Sequence, residues 1–93
     1  MIVNFRDKET EKLFHRESSR KLPLEIQRTA LRKLVILNAA TDLNDLRIPP
    51  SNHLEKLKRD RSGQHSIRFN DQLRICFKWH KGNAREVEIT DYH

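Results

Sequence analysis

Apolar positions recur at helical spacing along the first half of the chain and alternate along the second, with the change near Asn52. Met1 to Phe5 is the exception, a short alternating segment that suits an edge strand pinning the N-terminus. Asp7 then offers a helix N-cap, and Thr10, Leu13 and Phe14 place an apolar stripe on a short helix expected to end near Glu17 to Arg20. The cluster Ser18-Ser19-Arg20-Lys21 reads as a tight turn. Pro23 suits the first position of a second helix, where its missing N–H costs nothing, and Glu25 falls in the first turn, where the helix dipole favours a negative charge. From Ile26 onward, Ala30, Leu34 and Leu37 share one helical face, broadened by Leu31 and Val35. Thr41 to Pro50 reads as a loop with a helical turn at Leu43 and Leu46.

Beyond Asn52 the pattern is that of strands. His65, Ile67 and Phe69 alternate with Gln64, Ser66 and Arg68, and Leu73, Ile75, Phe77 and Trp79 alternate with Gln72, Arg74, Cys76 and Lys78. A two-residue turn at Asn70-Asp71 would oppose Ile67 to Arg74 and mix the two faces. A three-residue loop, Asn70 to Gln72, pairs Phe69 with Leu73 and Ile67 with Ile75 and keeps the apolar face whole. On the other face Arg68 then lies opposite Arg74, which costs a few tenths to about 1 kcal/mol unless something anionic lies over the pair. The same reasoning carries through Lys81-Gly82-Asn83 to a last strand with Val87 opposite Phe77, Ile89 opposite Ile75, Lys78 facing Glu86 and Thr90 facing Arg74. Tyr92 follows on that polar face. The expected fold class is α+β, a helical hairpin laid over one face of a small, mostly antiparallel twisted sheet, with residues 1–93 as one domain.

Composition sharpens the picture on the polar side. Lys and Arg number 19 against 13 Asp and Glu, a formal net charge of +6. Such a balance favours polyanions, because neutralising phosphates releases counterions, although charged surfaces also serve solubility alone. Between Arg47 and Arg74 seven basic residues stand against three acids, Glu55, Asp60 and Asp71. Cys76 is the single cysteine, so no internal disulfide forms, a reducing compartment is expected, and its strand setting suits a buried structural thiol. No stretch approaches the roughly 18 apolar residues of a membrane span, and Met1 to Arg6 lacks the apolar run of a signal peptide, so a cytoplasmic location is expected. The five histidines lack ligand spacing, and no metal is expected; His15 and His53 look like surface residues, His65 and His80 like ordinary strand or turn positions.

A cationic sheet face bearing an aromatic ring suits an RNA backbone and a stacked base. Cutting RNA requires a base for the 2′-hydroxyl, cations for the charge developing on phosphorus, and an acid for the leaving 5′-oxygen. Lys58, Arg61, Arg74, Asp91, Tyr92 and His93 supply those types of group. Lys56, Arg59, Arg61 and Arg68 are the candidate backbone contacts.

The run Leu57-Lys58-Arg59-Asp60-Arg61-Ser62-Gly63, then Ser66-Ile67-Arg68, Asn70, Gln72, Arg74-Ile75, Val87 and the closing Asp91-Tyr92-His93 resembles the HigB "killer protein" branch of the RelE/ParE toxin superfamily, over essentially the whole chain. The resemblance implies a RelE-like fold and a type II toxin that enters the ribosomal A site and cleaves mRNA there, using neither metal nor cofactor. It also implies a helix-turn-helix HigA antitoxin, with operator DNA contacted only through the toxin–antitoxin complex. By position, Lys58 matches the family's active-site lysine, Arg74 its phosphate-binding arginine, Asp91, Tyr92 and His93 its catalytic tripeptide, and Arg61 a basic position of the motif. The chain departs from the family pattern at three positions: Arg59 replaces a usual glycine, Leu73 a customary aromatic, and Glu55 a histidine found in some members. Either His93 or Lys58 would then be the base. Two other classes remain open: a ParE-like, non-enzymatic inhibitor of DNA gyrase, which has no need of the closing tripeptide, and a plain RNA-binding module.

Overall fold

The computed structural model describes residues 1–19 and 22–91. Two helices, α1 (Lys8–Phe14) and α2 (Leu24–Ala39), precede a four-stranded antiparallel meander of β1 (Glu55–Lys56), β2 (Gln64–Arg68), β3 (Leu73–His80) and β4 (Asn83–Asp91), in spatial order β1-β2-β3-β4. The architecture is the expected α+β, RelE-like arrangement. No described helix is long and apolar enough to cross a membrane.

Asp7 caps α1 by accepting from the Thr10 N–H, as its position predicts. The helix stops several residues earlier than the sequence suggests. Arg16 takes a left-handed conformation (φ 64°), its N–H bonds to the Leu13 carbonyl and the Glu17 N–H to the Lys12 carbonyl. This pair of bonds closes a helix end in the way that usually recruits glycine, and with arginine there no sequence signal marks the stop. Replacing Arg16 with glycine is expected to stabilise the fold by about 0.5–1 kcal/mol, after glycine's extra unfolded-chain freedom is deducted. The melting temperature should then rise by about 4 °C; a fall on calorimetry would contradict the strain.

The link to α2 runs from 15 to 23, and Arg20 and Lys21, half of the anticipated turn, lie outside the described residues. Gln27 ties it down, its amide donating to the Ser19 and Leu22 carbonyls (2.9 and 2.6 Å) and accepting from the Ser19 N–H (3.2 Å). Pro23 occupies the N-cap rather than the first helical position. Ala30, Leu34 and Leu37, completely buried, form the face that meets Ile67, Ile75, Phe77, Ala84 and Val87 from the sheet. Burial of apolar area across these two layers is the main force holding helices on sheet. Val35, expected to broaden the face, is exposed. The turn over Leu43–Arg47 is a 3-10 helix with Leu46 buried.

The register of β2 and β3 is the one that kept the apolar face whole: Ile67 pairs with Ile75 and Arg68 with Arg74, and the Phe69 N–H bonds to the Leu73 carbonyl. The Asn70 side chain shapes the loop by accepting from the N–H groups of Gln72 and Leu73. The β3–β4 hairpin is more elaborate. Lys81 and Gly82 both have positive φ and form a two-residue turn that pairs His80 with Asn83. That turn sets Lys78 against Arg85, and an irregularity at Glu86 (φ 51°) then inserts one residue. Beyond it Ile75 pairs with Ile89 and Arg74 with Thr90, as expected. The extra residue lets Ala84 and Val87, three apart, both enter the core. Lys78 pairs with Arg85 in the ladder, yet its ammonium still reaches Glu86 at 2.7 Å.

Residues 1–5 lie along the edge of β4 as expected, but parallel and as two isolated bridges, Ile2 to Ala84 and Phe5 to Val87. Side chains complete the attachment: Asn38 of α2 accepts from the Ile2 N–H, and Asn4 from the Glu86 N–H.

His65 stands on the core side of β2 with its ring stacked 6.3 Å from that of Phe77, and its Nδ1 is buried without a partner among the described residues. Burial, and then the charge of Lys56, hold its pKa below the usual imidazole value of 6.5. The unfolded chain therefore binds the proton more readily. Stability is complete above that value and is lost as pH falls from there through the depressed folded pKa. Acid melts across this window should show a decline that His65→Leu flattens; an unchanged decline would assign it to other groups.

Candidate active site on the polar face of the sheet

The face of the sheet turned away from the helices is polar in sequence yet well covered at its centre, where Gln64, Ser66, Arg74 and Cys76 are buried. The segment 57–61, which carries a 3-10 turn at Arg59–Arg61, stands beside this face, and with it encloses a hollow of about 510 Å³. Leu57, Lys58, Arg59, Arg61, Arg74 and Asp91 line it, together with Cys76 and Thr90. Four groups that the sequence separates by more than thirty positions thus meet in one place: Lys58 and Arg61 from the turn, Arg74 from mid-sheet, and Asp91 at the end of β4.

Arg74 is the most enclosed cation, its side chain 9% exposed. One guanidinium nitrogen donates to the Ser66 hydroxyl on the neighbouring strand, and another meets the Glu55 carboxylate at 3.0 Å. Arg68, directly across the ladder, turns the other way, donating to the Asn70 carbonyl and pairing with Asp71, both at 2.9 Å. The like-charge cost of that cross-strand pair is thus met by two carboxylates, one for each arginine. Arg61 is similarly engaged: it pairs with Glu88 (3.0 Å) and donates to Gln64 (3.1 Å), while Glu88 also holds Arg6 (3.1 Å) and accepts from the Thr90 hydroxyl (3.1 Å). Lys58 and Arg59 make no ion pair among the described residues, and both are exposed at the rim. Arg59 has φ 58°, the left-handed conformation that favours glycine, so this rim is strained.

Lys56 is placed differently from expectation. Glu55 faces Arg74, so Lys56, next on β1, takes the opposite side of the sheet beside His65. Arg68 lies outside the hollow, in the direction of the β2–β3 loop. Asp91 accepts from the Gln72 amide at 3.3 Å. Tyr92 and His93, which complete the expected tripeptide, lie outside the described residues.

Sequence reasoning missed Glu55, Glu88 and Ser66 as partners of the cations. The signal for Ser66 was available in the strand register, two residues from Arg68 on the same face of β2. Glu55 sits on a two-residue strand too short for a pattern to reveal.

A small cationic α+β domain with a helical hairpin on one side of a meander and an arginine-floored hollow on the other defines a RelE-like toxin. The chain belongs to the HigB-like toxin family: a model described as the RelE-like toxin of the type II toxin–antitoxin system HigB matches residues 3–93. It is 41% identical over 93 residues to Toxin HigB-1 of Vibrio cholerae serotype O1, covering 99% of this chain and 98% of that protein. It is also 33% identical over 72 residues to an uncharacterized protein of Haemophilus influenzae, covering 77% and 71% respectively. As a toxin of a type II system the protein has an antitoxin protein as partner.

Proposed function

We propose that the protein is a ribosome-dependent endoribonuclease that cleaves mRNA in the ribosomal A site without a metal ion. The observation that carries this reading is the convergence of Lys58, Arg61 and Arg74 on one hollow that also contains Asp91. Cleavage proceeds by attack of the ribose 2′-oxygen on the adjacent phosphorus. The 2′-hydroxyl proton passes to a base, the bond to the 5′-oxygen breaks, and that oxygen takes up a proton, leaving a 2′,3′-cyclic phosphate and a 5′-hydroxyl. Arg74, held by Ser66, binds the scissile phosphate and stabilises the charge that develops on it, with Lys58 at the rim as a second cation. Arg61 supports binding of the strand. His93 or Lys58 takes the 2′-proton, Tyr92 stacks on or orients the base, and Asp91 positions His93. Glu55 and Glu88 occupy the arginines in the free protein, so an entering phosphate exchanges places with carboxylates that already satisfy them. The antitoxin is of the helix-turn-helix HigA kind and the site of action is the cytoplasm.

Induction in cells followed by mapping of mRNA 5′ ends tests the reading. New ends inside translated codons, with cleavage by purified toxin and ribosomes persisting in chelator, are expected. Intact transcripts and unchanged growth would overturn it, and a DNA-damage response with translation unaffected would favour gyrase poisoning instead.

A further inference from the structure

A second cationic hollow, of about 230 Å³, opens at the β2–β3 loop and is lined from three directions: Lys33 from α2, Ser51 and His53 from the loop ahead of β1, and Arg68, Asn70 and Asp71 from the hairpin. Lys33 is set into it deliberately by its surroundings. Its ammonium donates to the Oδ1 of Asn52, a residue with no exposed surface. The Asn52 amide nitrogen in turn donates to the carbonyls of Leu46 (3.1 Å) and Ile48 (3.4 Å), which fixes its acceptor toward the lysine. Asn52 therefore does for Lys33 what Ser66 does for Arg74: a buried neutral acceptor aims a cation without neutralising it.

Among the described residues Lys33 has no carboxylate partner, although burial and the neighbouring charge of Arg32 both disfavour its ammonium form and lower its pKa. Retaining a cation in such surroundings with only an amide for company costs stability unless an anion arrives. The one acid in the hollow, Asp71, is fully exposed and paired with Arg68, and a surface pair of that kind is easily surrendered. The link to the first hollow is the ladder itself, because Arg68 and Arg74 are directly paired residues whose side chains diverge, one into each hollow.

We infer that this hollow is a second phosphate-binding subsite, in which Lys33 and Arg68 hold an RNA backbone phosphodiester away from the scissile one. The inference rests on the endoribonuclease reading and extends it to the path of the RNA. That phosphodiester comes either from the strand lying in the first hollow or from ribosomal RNA beside it.

The test compares the full-length toxin with K33Q, K33R and R68Q on two probes: a single-stranded RNA made uncleavable by 2′-O-methylation, and mRNA-programmed ribosomes. Affinity is measured against salt on each. Loss of one phosphate contact lowers the slope of log affinity against log salt by about 0.7–0.9. K33Q and R68Q should show this loss and K33R should not, with melting curves verifying that each variant is folded. A loss on both probes assigns the phosphate to the bound strand, and a loss on ribosomes alone assigns it to ribosomal RNA. Slopes unchanged by K33Q and R68Q on both probes would overturn the subsite. If R74A nevertheless abolished cleavage, the nuclease reading would survive that failure; if the wild-type toxin bound neither probe, both would fall together.

Discussion

Replacing Arg74 with alanine is expected to lower cleavage of mRNA on the ribosome by about 10²- to 10³-fold, equivalent to about 2.7–4 kcal/mol of lost transition-state stabilisation. Arg74 is the most enclosed cation of the hollow, held by Ser66 and by Glu55. A guanidinium fixed in this way has already lost its rotamer freedom, so once the phosphate has replaced Glu55 its charge acts with no further ordering of its own side chain. Glu55 is already nearly half exposed beside Arg74, at 45%, so water can take over its carboxylate when the arginine is removed and the fold should survive. Arg74→Lys keeps a charge but cannot meet Ser66 and a phosphate through the same planar fork, and should recover only part of the rate. Growth after induction and primer extension on a reporter mRNA give the readout. Cleavage by the folded alanine variant within about tenfold of wild type, a difference of only 1.4 kcal/mol, would remove Arg74 from the chemistry.

How much of this was legible depends on whether a residue's role is set by period or by geometry. The apolar face of α2 and the Ile67–Ile75 register follow from periodicity, because a one-residue slip would expose a whole set of core side chains. Likewise the pairing of Arg68 with Arg74 follows from that register, and with it the requirement for nearby anions. The identity of those anions did not follow. Asp71 and Glu55 were counted as acids diluting a basic stretch, whereas each sits directly on one of the two guanidiniums. Lys56 shows the same limit from the other side: alternation on a strand of two residues decides its face, and no pattern announces so short a strand. Positive φ at Arg16 and Glu86 is equally silent in sequence, since glycine is the usual sign of that backbone, whereas at Arg59 the resemblance, with its usual glycine there, pointed to it. The Glu86 irregularity could have been inferred from one clue, the three-residue spacing of Ala84 and Val87, which no regular strand places on a single face.

Phe77→Ala is expected to abolish toxicity by a different route, with a loss of about 3–5 kcal/mol in stability. Phe77 is completely buried at the centre of β3, with the His65 and Trp79 rings each 6.3 Å away. The bulge at Glu86 exists to keep Val87 in the same core layer, so the neighbours are constrained by ladder hydrogen bonds and cannot collapse into the space a methyl group leaves. Against the total of about 5–15 kcal/mol that a domain of this kind commands, such a loss leaves a large unfolded fraction. The melting temperature should fall by at least about 12 °C. Toxin abundance in cells should fall with it, through proteolysis of the unfolded chain. Because Phe77 points away from the hollow, the molecules that remain folded at low temperature should cleave as fast as wild type, unlike those of the Arg74 variant. A Phe77→Ala protein that melts normally would refute the packing argument, and one that stays folded but fails to cleave would mean that the core layer also sets the geometry of the polar face.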